Sequence, residues 1–381
     1  MKKKDTFLDG RNIAEVPARV LAGQLELMVV WERVHKKGGM PGVDGVSVSR
    51  FARDVQSNIL RLQSALAGNV YQPLPLRMVE VAKKSGALRL LLVPAVADRI
   101  AQSAVARWLG SRWNPSFDPN SFAYRPGVGV ANALRALAAL RDEGFHWVLD
   151  ADIRSFFDSI DHAILLRKLQ RLLGETSPLL EWIHRWITAP IWDGAQLEIM
   201  TRGVPQGSPL SPLLSNYYLD GFDRRLRSSG MRFVRYADDF LVLSRTPFDL
   251  AEARTQVEDA LRELNLTLNS EKTNTTTFEQ WFRFLGAEIQ GESIMLPFEK
   301  NKKRDTKVNI APVMPAALLR AYKAGYLKTN RLFVWKERKL ADVPGSTPFE
   351  TRAKAPSSHE ETLKKLSGGT NPLDILRRNL P

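Results

Sequence analysis

Asp238 and Asp239 stand side by side in Val234-Arg235-Tyr236-Ala237-Asp238-Asp239-Phe240-Leu241-Val242-Leu243, two acids at the crest of an otherwise apolar, β-prone run. Neighbouring side chains on a regular strand face opposite ways, so both acids reach one site only where the chain bends, as at a hairpin tip. Hard carboxylate oxygens at such a bend suit magnesium, which keeps open positions for substrate phosphates. Two ions roughly 3.5–4 Å apart can stabilise both oxygens of an in-line displacement. A solvated Asp-Asp turn between strands has the same local pattern, so the reading depends on what else the chain carries.

A third carboxylate is available at Asp152, at the end of the strand-like run Trp147-Val148-Leu149-Asp150-Ala151-Asp152-Ile153, where an acid among apolar neighbours needs a partner. Asp150 lies two residues earlier, on the same strand face, and competes for that role; the pattern alone does not separate them. The segment Gly203-Val204-Pro205-Gln206-Gly207-Ser208-Pro209-Leu210-Ser211-Pro212 reads as a rigid, kinked loop entering a helix. Proline fixes φ and glycine permits close backbone approach, so the loop can press against a flat partner such as a base pair. Gln206 offers both a donor and an acceptor there. Ser211 is expected as the helix cap, with Pro212 in the first turn.

The elements that must hold these residues follow from apolar spacing and breakers. Helix is expected over 11–35, 47–68 and 97–109, with a hairpin over 76–93 turning at Lys83-Lys84-Ser85-Gly86. A buried strand over 147–153 leads into helical pattern to about 173, and again over 178–188 and 212–228. A hairpin over 232–244 carries the paired acids, an amphipathic helix spans 249–264, and 281–296 returns to strand. This order lacks a regular βαβ rhythm, and an α+β, palm-like core with helical additions suits it. Beyond Pro297, Lys300, Lys302, Lys303, Arg304 and Lys307 form a basic run, helical stretches follow near 315–340, and Pro344 to Gly369 reads as a linker or loosely ordered arm.

The whole chain of 381 residues has 55 lysines and arginines against 41 acids, a formal charge of +14 spread from Lys2 to Arg378, which favours a polyanionic partner. Cysteine is absent, which excludes disulfides and thiolate metal sites and fits a reducing compartment. No apolar stretch has the length of a signal peptide or a membrane span, so a cytoplasmic protein is expected. The five histidines show no metal-ligand spacing, His146 and His162 included; Trp281 and Trp335 read as core residues before base-stacking ones.

Ala151-Asp152-Ile153 followed by Ser155-Phe156-Phe157-Asp158, then the Pro-Gln-Gly loop, Tyr236-Ala237-Asp238-Asp239, Asn269-Ser270-Glu271-Lys272-Thr273 and Phe284-Leu285-Gly286 resemble, in order and spacing, the motifs of bacterial group II intron reverse transcriptases. Upstream, Gly42-Val43-Asp44-Gly45, Tyr71-Gln72-Pro73, Asp98-Arg99-Ile100-Ala101-Gln102 and Ser121-Phe122-Ala123-Tyr124-Arg125-Pro126-Gly127 resemble the fingers of that family, so the likeness covers roughly residues 40–290. It implies a right-hand polymerase: an N-terminal extension and fingers over 1–146, a palm with a ferredoxin-like antiparallel sheet and helices over 147–296, and a short helical thumb with a C-terminal arm over 297–381. It implies Asp152, Asp238 and Asp239 as catalytic metal ligands, with the Ile153 carbonyl, and thereby favours Asp152 over Asp150. The cofactor implied is two magnesium ions, with manganese as a substitute. Lys83, Lys84, Arg89, Phe157, Gln206 and Lys272 are implied around the incoming nucleotide: the cations on phosphate, Phe157 as a gate against a ribose 2′-hydroxyl, and Lys272 as an acid for leaving pyrophosphate or a support for backbone phosphate. Tyr236, Pro205, Gly207 and Arg125 are implied near primer or template. Leu90, where proline is common, and Ser85, where glycine is, depart from the family pattern at the finger hairpin.

The activity expected is RNA-directed DNA synthesis, with an RNA template, a DNA or RNA primer and deoxynucleoside triphosphates as partners. The endonuclease and DNA-binding regions usual in intron proteins are not visible, so a free-standing, domesticated role in phage defence with a dedicated noncoding RNA is expected. The alternatives are a maturase-like RNA-binding protein, intron mobility and CRISPR spacer acquisition. The sequence is silent on oligomeric state.

Overall fold

The structure is a computed structural model describing residues 16–82, 88–295, 308–327, 329 and 331–333. Helical spacing before Gly38 forms two helices, α1 (Ala18–Gln24) and α2 (Leu27–Lys37), because Glu26 takes a left-handed φ of 45° between them. The stretch expected over 47–68 likewise divides into α3 (Val48–Ala52) and α4 (Val55–Ala67). The hairpin is β1 (Leu76–Ala82) and β2 (Leu88–Val93), antiparallel with Val81 opposite Arg89; its tip, with Lys83 and Lys84, lies outside the described residues. After α5 (Val96–Trp113) comes α6 (Val130–Asp142), a helix not expected from the sequence.

The central unit begins with β3 (Trp147–Asp152), α7 (Phe156–Ser159), α8 (His162–Leu173) and α9 (Pro178–Ile187). Short strands β4 (Ile191–Trp192) and β5 (Leu197–Glu198) precede α10 (Ser211–Ser228). The acid-bearing hairpin is β6 (Arg232–Tyr236) and β7 (Asp239–Ser244), followed by α11 (Pro247–Arg262), β8 (Asn274–Thr277), β9 (Phe282–Phe284), β10 (Ala287–Gln290) and β11 (Ser293–Met295). The last described elements are β12 (Val308–Ile310) and α12 (Ala316–Lys323). Ser211, expected as a cap, is instead the first residue of α10, and its hydroxyl turns back to donate to the Pro205 carbonyl at 2.8 Å.

The chain is a mixture of helices and sheets. Its central sheet has the order β6-β7-β3-β8, antiparallel throughout. Both faces are covered. Leu149, Ala151, Phe240 and Val242 pack with Phe222 of α10 and Val257 and Leu261 of α11. Val148, Leu241 and Leu243 pack with Leu134 and Leu137 of α6 and with Phe282 and Phe284. Alternation then places Asp150 and Asp152 in the row begun by Val148, and Asp239 in the row of Leu241 and Leu243. The acids begin on one sheet face where that face's apolar row ends.

In the finger sheet, β2 takes one edge of β1, while β4 (at Leu76 and Arg77) and β12 (at Val79 to Val81) take successive stretches of the other. Within 297–340 the described residues include α12, a helix inside the stretch expected to be helical, and β12, which pairs with β1 of the finger sheet. Open backbone donors and acceptors on β1 explain the docking. Arg77 Nε donates to Ala311 O at 2.6 Å, Trp192 Nε1 to Pro312 O at 2.9 Å, and the Met314 amide to Val43 O at 2.9 Å. Residues 331–333 cross Ile199, whose amide donates to Arg331 O and whose carbonyl accepts from the Phe333 amide. The basic run within 296–307, Trp335 and the segment from Pro344 onward lie outside the described residues.

Two contacts in this region give measurable expectations. Gly207 has φ +128°, and a Cβ there would lie 2.7 Å from Leu92 O, because the Leu92 amide donates to Gln206 O at 2.7 Å and draws the loop onto β2. Gly207→Ala is expected to lower stability by about 1–3 kcal/mol in urea unfolding; an unchanged midpoint would show that the loop can retreat from β2. Asp98 is buried, accepts from the Tyr71 hydroxyl at 2.5 Å and from the Leu74 amide at 3.0 Å, and burial raises its carboxyl to about 7. Between pH 4 and 7 the unfolded chain releases a proton that the folded chain keeps, so this group's contribution to stability falls as pH rises through that window. Asp98→Asn should flatten that part of the stability profile, and identical profiles for the two proteins would refute the assignment.

Candidate active site

Strand pairing sets the site. Asp152, at the end of β3, lies directly opposite Asp239, the first residue of β7, and the Ile153 amide donates to Asp238 O at 3.1 Å. Ala237 and Asp238 form the two-residue turn between Tyr236 and Asp239, which are paired. Ala237 has a left-handed φ of 61°, a conformation that costs an L-residue about 1–2 kcal/mol. The bend lets Asp238 join the Asp239 face rather than oppose it.

The turn is held from beneath. Arg235 and Asp223 are each 1% exposed and form a two-pronged ion pair, with Nε donating to Asp223 Oδ1 at 2.6 Å. The same guanidinium donates to Ala237 O at 2.9 Å, the carbonyl of the strained residue, and to Ser121 Oγ at 2.7 Å. One side chain thus joins α10, the loop before α6 and the acid turn.

The acids repel one another. Burial and then the charges of Asp150, Asp152 and Asp238 raise Asp239 to about 7, with Lys272 opposing. Burial and then the Asp152 charge raise Asp238, and burial with Asp152 raises Asp150 to about 6. Asp150 pairs opposite Leu241, one step further from the turn than Asp152. Lys272 Nζ lies 3.2 and 3.1 Å from the two Asp152 oxygens, and Asn269 adds a side-chain donor at 3.2 Å while its amide binds Asp152 O at 2.8 Å. Among the described residues, no three acidic or histidine side chains close on a single point as a metal cage. The chemistry of the donors nevertheless fits a hard divalent cation: carboxylate oxygens on adjacent strands, mutually destabilised, with an exposed ammonium already drawn onto one of them as a stand-in charge.

Around the acids the expected residues divide. Phe156 is buried in the core, while Phe157 is half-buried, packed partly against that core and meeting Tyr124 edge-on. Gln206 Nε2 donates to Asp158 Oδ1 at 2.7 Å, and Pro205 is buried, so the loop packs on α7 as well as on β2. Gly207 is exposed and lies against β2, where a Cβ would come within 2.7 Å of Leu92 O. Arg89 is exposed on β2, near the hairpin tip. Arg125, expected near primer or template, spends its donors within the protein, on Asn114 Oδ1 (2.7 Å), Asn114 O (3.1 Å), Asp118 O (2.6 Å) and Ser121 O. Trp281 is exposed, with the Arg283 guanidinium over its ring. His162 Nε2 pairs with Gly203 O at 2.7 Å.

Tyr124 is a residue of the site that local spacing does not single out. It is 50% exposed, meets Phe157 edge-on at 6.4 Å between centroids, and is raised by burial and by the nearby charges of Asp238 and Tyr236, with Arg89 opposing. Its signal in the sequence was only its place before Arg125.

A family model described as reverse transcriptase (RNA-dependent DNA polymerase) matches residues 81–289. Protein YkfC of Escherichia coli (strain K12) is 31% identical over 288 residues, covering 65% of this chain and 75% of that protein. Group II intron-encoded protein LtrA of Lactococcus lactis subsp. cremoris is 31% identical over 193 residues, covering 50% of this chain and 31% of its own length. A solved chain described as part of a partial Cas6-RT-Cas1–Cas2 complex is 29% identical, with a TM-score of 0.39, covering 65% of this chain and 42% of that one. Replacing Asp223 by Ala strands the Arg235 charge in the interior and is expected to cost about 3–5 kcal/mol in denaturant unfolding. A wild-type midpoint for Asp223→Ala would mean that the pair does not carry the turn.

Proposed function

The chain belongs to the reverse transcriptase (RNA-dependent DNA polymerase) family, and on that premise we propose that it extends a primer with deoxynucleotides on an RNA template. The observation that carries this reading is the pairing of Asp152 with Asp239 beside the Asp238 turn. In the reaction, the primer 3′-oxygen forms a bond to the α-phosphorus, the bond from that phosphorus to the bridging oxygen breaks, and pyrophosphate leaves. Asp152, Asp238 and Asp239, with the Ile153 carbonyl, are the residues that would hold two magnesium ions, or manganese in their place. Bound there, such ions supply positive charge to the attacking and leaving oxygens. Lys272 is placed to let go of Asp152 when a cation arrives, freeing an ammonium for the phosphates of the substrate or of the product.

Arg89 brings a guanidinium fork to the triphosphate from the fingers, and Lys83 and Lys84 are proposed beside it at the tip. Phe157 is proposed as the ring that excludes a 2′-hydroxyl, and Tyr236 is proposed against the primer end. Gln206, with Pro205 and Gly207, is proposed to act on the nucleotide through the surface of α7 to which it is fastened. The formal charge of +14 suits the template and primer backbones. By its resemblance to the intron-type enzymes, a noncoding RNA template in a domesticated, defensive role is the biological setting we propose, and sequencing the nucleic acid that copurifies from cells tests it.

The biochemical test uses the full chain, a primed RNA template, magnesium and a labelled deoxynucleoside triphosphate. Primer extension is expected from the wild type and is expected to vanish in Asp238→Asn and in Asp239→Asn. Wild-type rates in both variants would defeat the polymerase reading.

A further inference from the structure

Phe157 sits on a four-residue helix whose preceding residue, Ser155, has a left-handed φ of 45° and makes no side-chain cap. So short a helix gives little rigidity to a ring asked to resist a hydroxyl group. Two aromatic edges brace it. Phe156, buried to 2%, meets it at 5.6 Å from the core side, and Tyr124 meets it at 6.4 Å and 87° from the other. Phe156 is fixed by the core; Tyr124 is fixed by its backbone. Ala123 O accepts from the buried Asn216 side chain at 2.8 Å, and Arg125 ties the following residue to the carbonyls of Asn114, Asp118 and Ser121. Between these anchors Tyr124 is held at φ 58°, so a half-exposed ring is presented at a defined angle. Strain kept at a solvent-facing residue needs surroundings that over-determine it, and here they do.

The geometry points to Tyr124 as a positioning residue for sugar selection: its ring fixes Phe157 from the open side, so that Phe157 cannot tilt away when a ribonucleotide enters. The inference rests on the proposed polymerase activity and on Phe157 as the gate. It adds that the fingers-side loop, through Tyr124, sets how strict that gate is. Phe157 is half-buried and packed partly against the core, and Tyr124, half-exposed, meets its ring edge-on.

The test compares kcat/KM for single deoxynucleotide and ribonucleotide additions to a primed RNA template, using the full chain. In Tyr124→Ala the ratio is expected to fall roughly tenfold, about the most that one aromatic pair is worth. Tyr124→Phe, which keeps the edge, should hold the wild-type ratio. Tyr124→Leu, which fills the space without an aromatic edge and guards against a folding defect, should fall with Tyr124→Ala. The double variant of Tyr124→Ala with Phe157→Ala should be no less selective than Phe157→Ala alone, since the two rings act as one unit. If Phe157→Ala lowers the ratio and neither Tyr124→Ala nor Tyr124→Leu does, this inference falls and the gate stands. If Phe157→Ala leaves the ratio unchanged, or the wild type extends no primer, the reading beneath it falls and takes this one with it.

Discussion

The buried ion pair between Arg235 and Asp223 is the constraint around which the site is arranged. Taking both charges out of water is costly, and the geometry offsets that cost with a full set of acceptors: both Asp223 oxygens, Ser121 Oγ and Ala237 O. The same fork that satisfies Asp223 fixes the peptide after a left-handed alanine. The pair also reaches the loop that carries Tyr124, so the acid turn and the aromatic wall of the cleft share one anchor.

Around that anchor, charge decides the rest. Asp150, Asp152, Asp238 and Asp239 are close enough that burial and mutual repulsion raise three of them, with Lys272, and Arg235 toward Asp238, answering with the opposite sign. A site built this way gains most from a divalent cation, because one ligand removes several unfavourable terms at once. The apolar rows of β3 and β7 end where the acids start, so packing by α6 and α11 supports the strands while leaving their ends to chemistry.

Much of this was legible in the chain because strand alternation and hairpin turns leave direct marks. The run from Val234 to Leu243 announced a hairpin with acids at its tip, and the row Val148, Asp150, Asp152 announced a shared face. What the pattern could not distinguish was partner identity. Pro205 to Gly207 have the composition of a loop that meets a flat surface, and one surface they meet is the backbone of β2. Arg125 donates to the carbonyls of Asn114, Asp118 and Ser121, partners that its own motif does not name. Ser211 looked like a cap, yet its hydroxyl bonds backwards. Gly207 meets Leu92 far away in sequence, while Arg125 and Ser211 meet carbonyls a few residues upstream through the fold of their loops, and apolar spacing encodes none of these contacts. Tyr124 was missed for the same reason: its meaning comes from Phe157. The returning strand β12 was missed because three residues in a polar segment have no period to read.

That returning strand bears on how the protein is made. Among the described residues, the edge of β1 beyond its pairing with β4 is covered by Val308 to Ile310, which leave the ribosome long after the finger hairpin does. Until then the growing chain carries an unsealed ladder of amides and carbonyls, the kind of surface on which strands of other molecules assemble. A product interrupted before residue 308 would keep the entire acid hairpin and still be prone to sticking to its neighbours, so recovery of soluble material, rather than loss of catalytic groups, becomes the first casualty of shortening this chain.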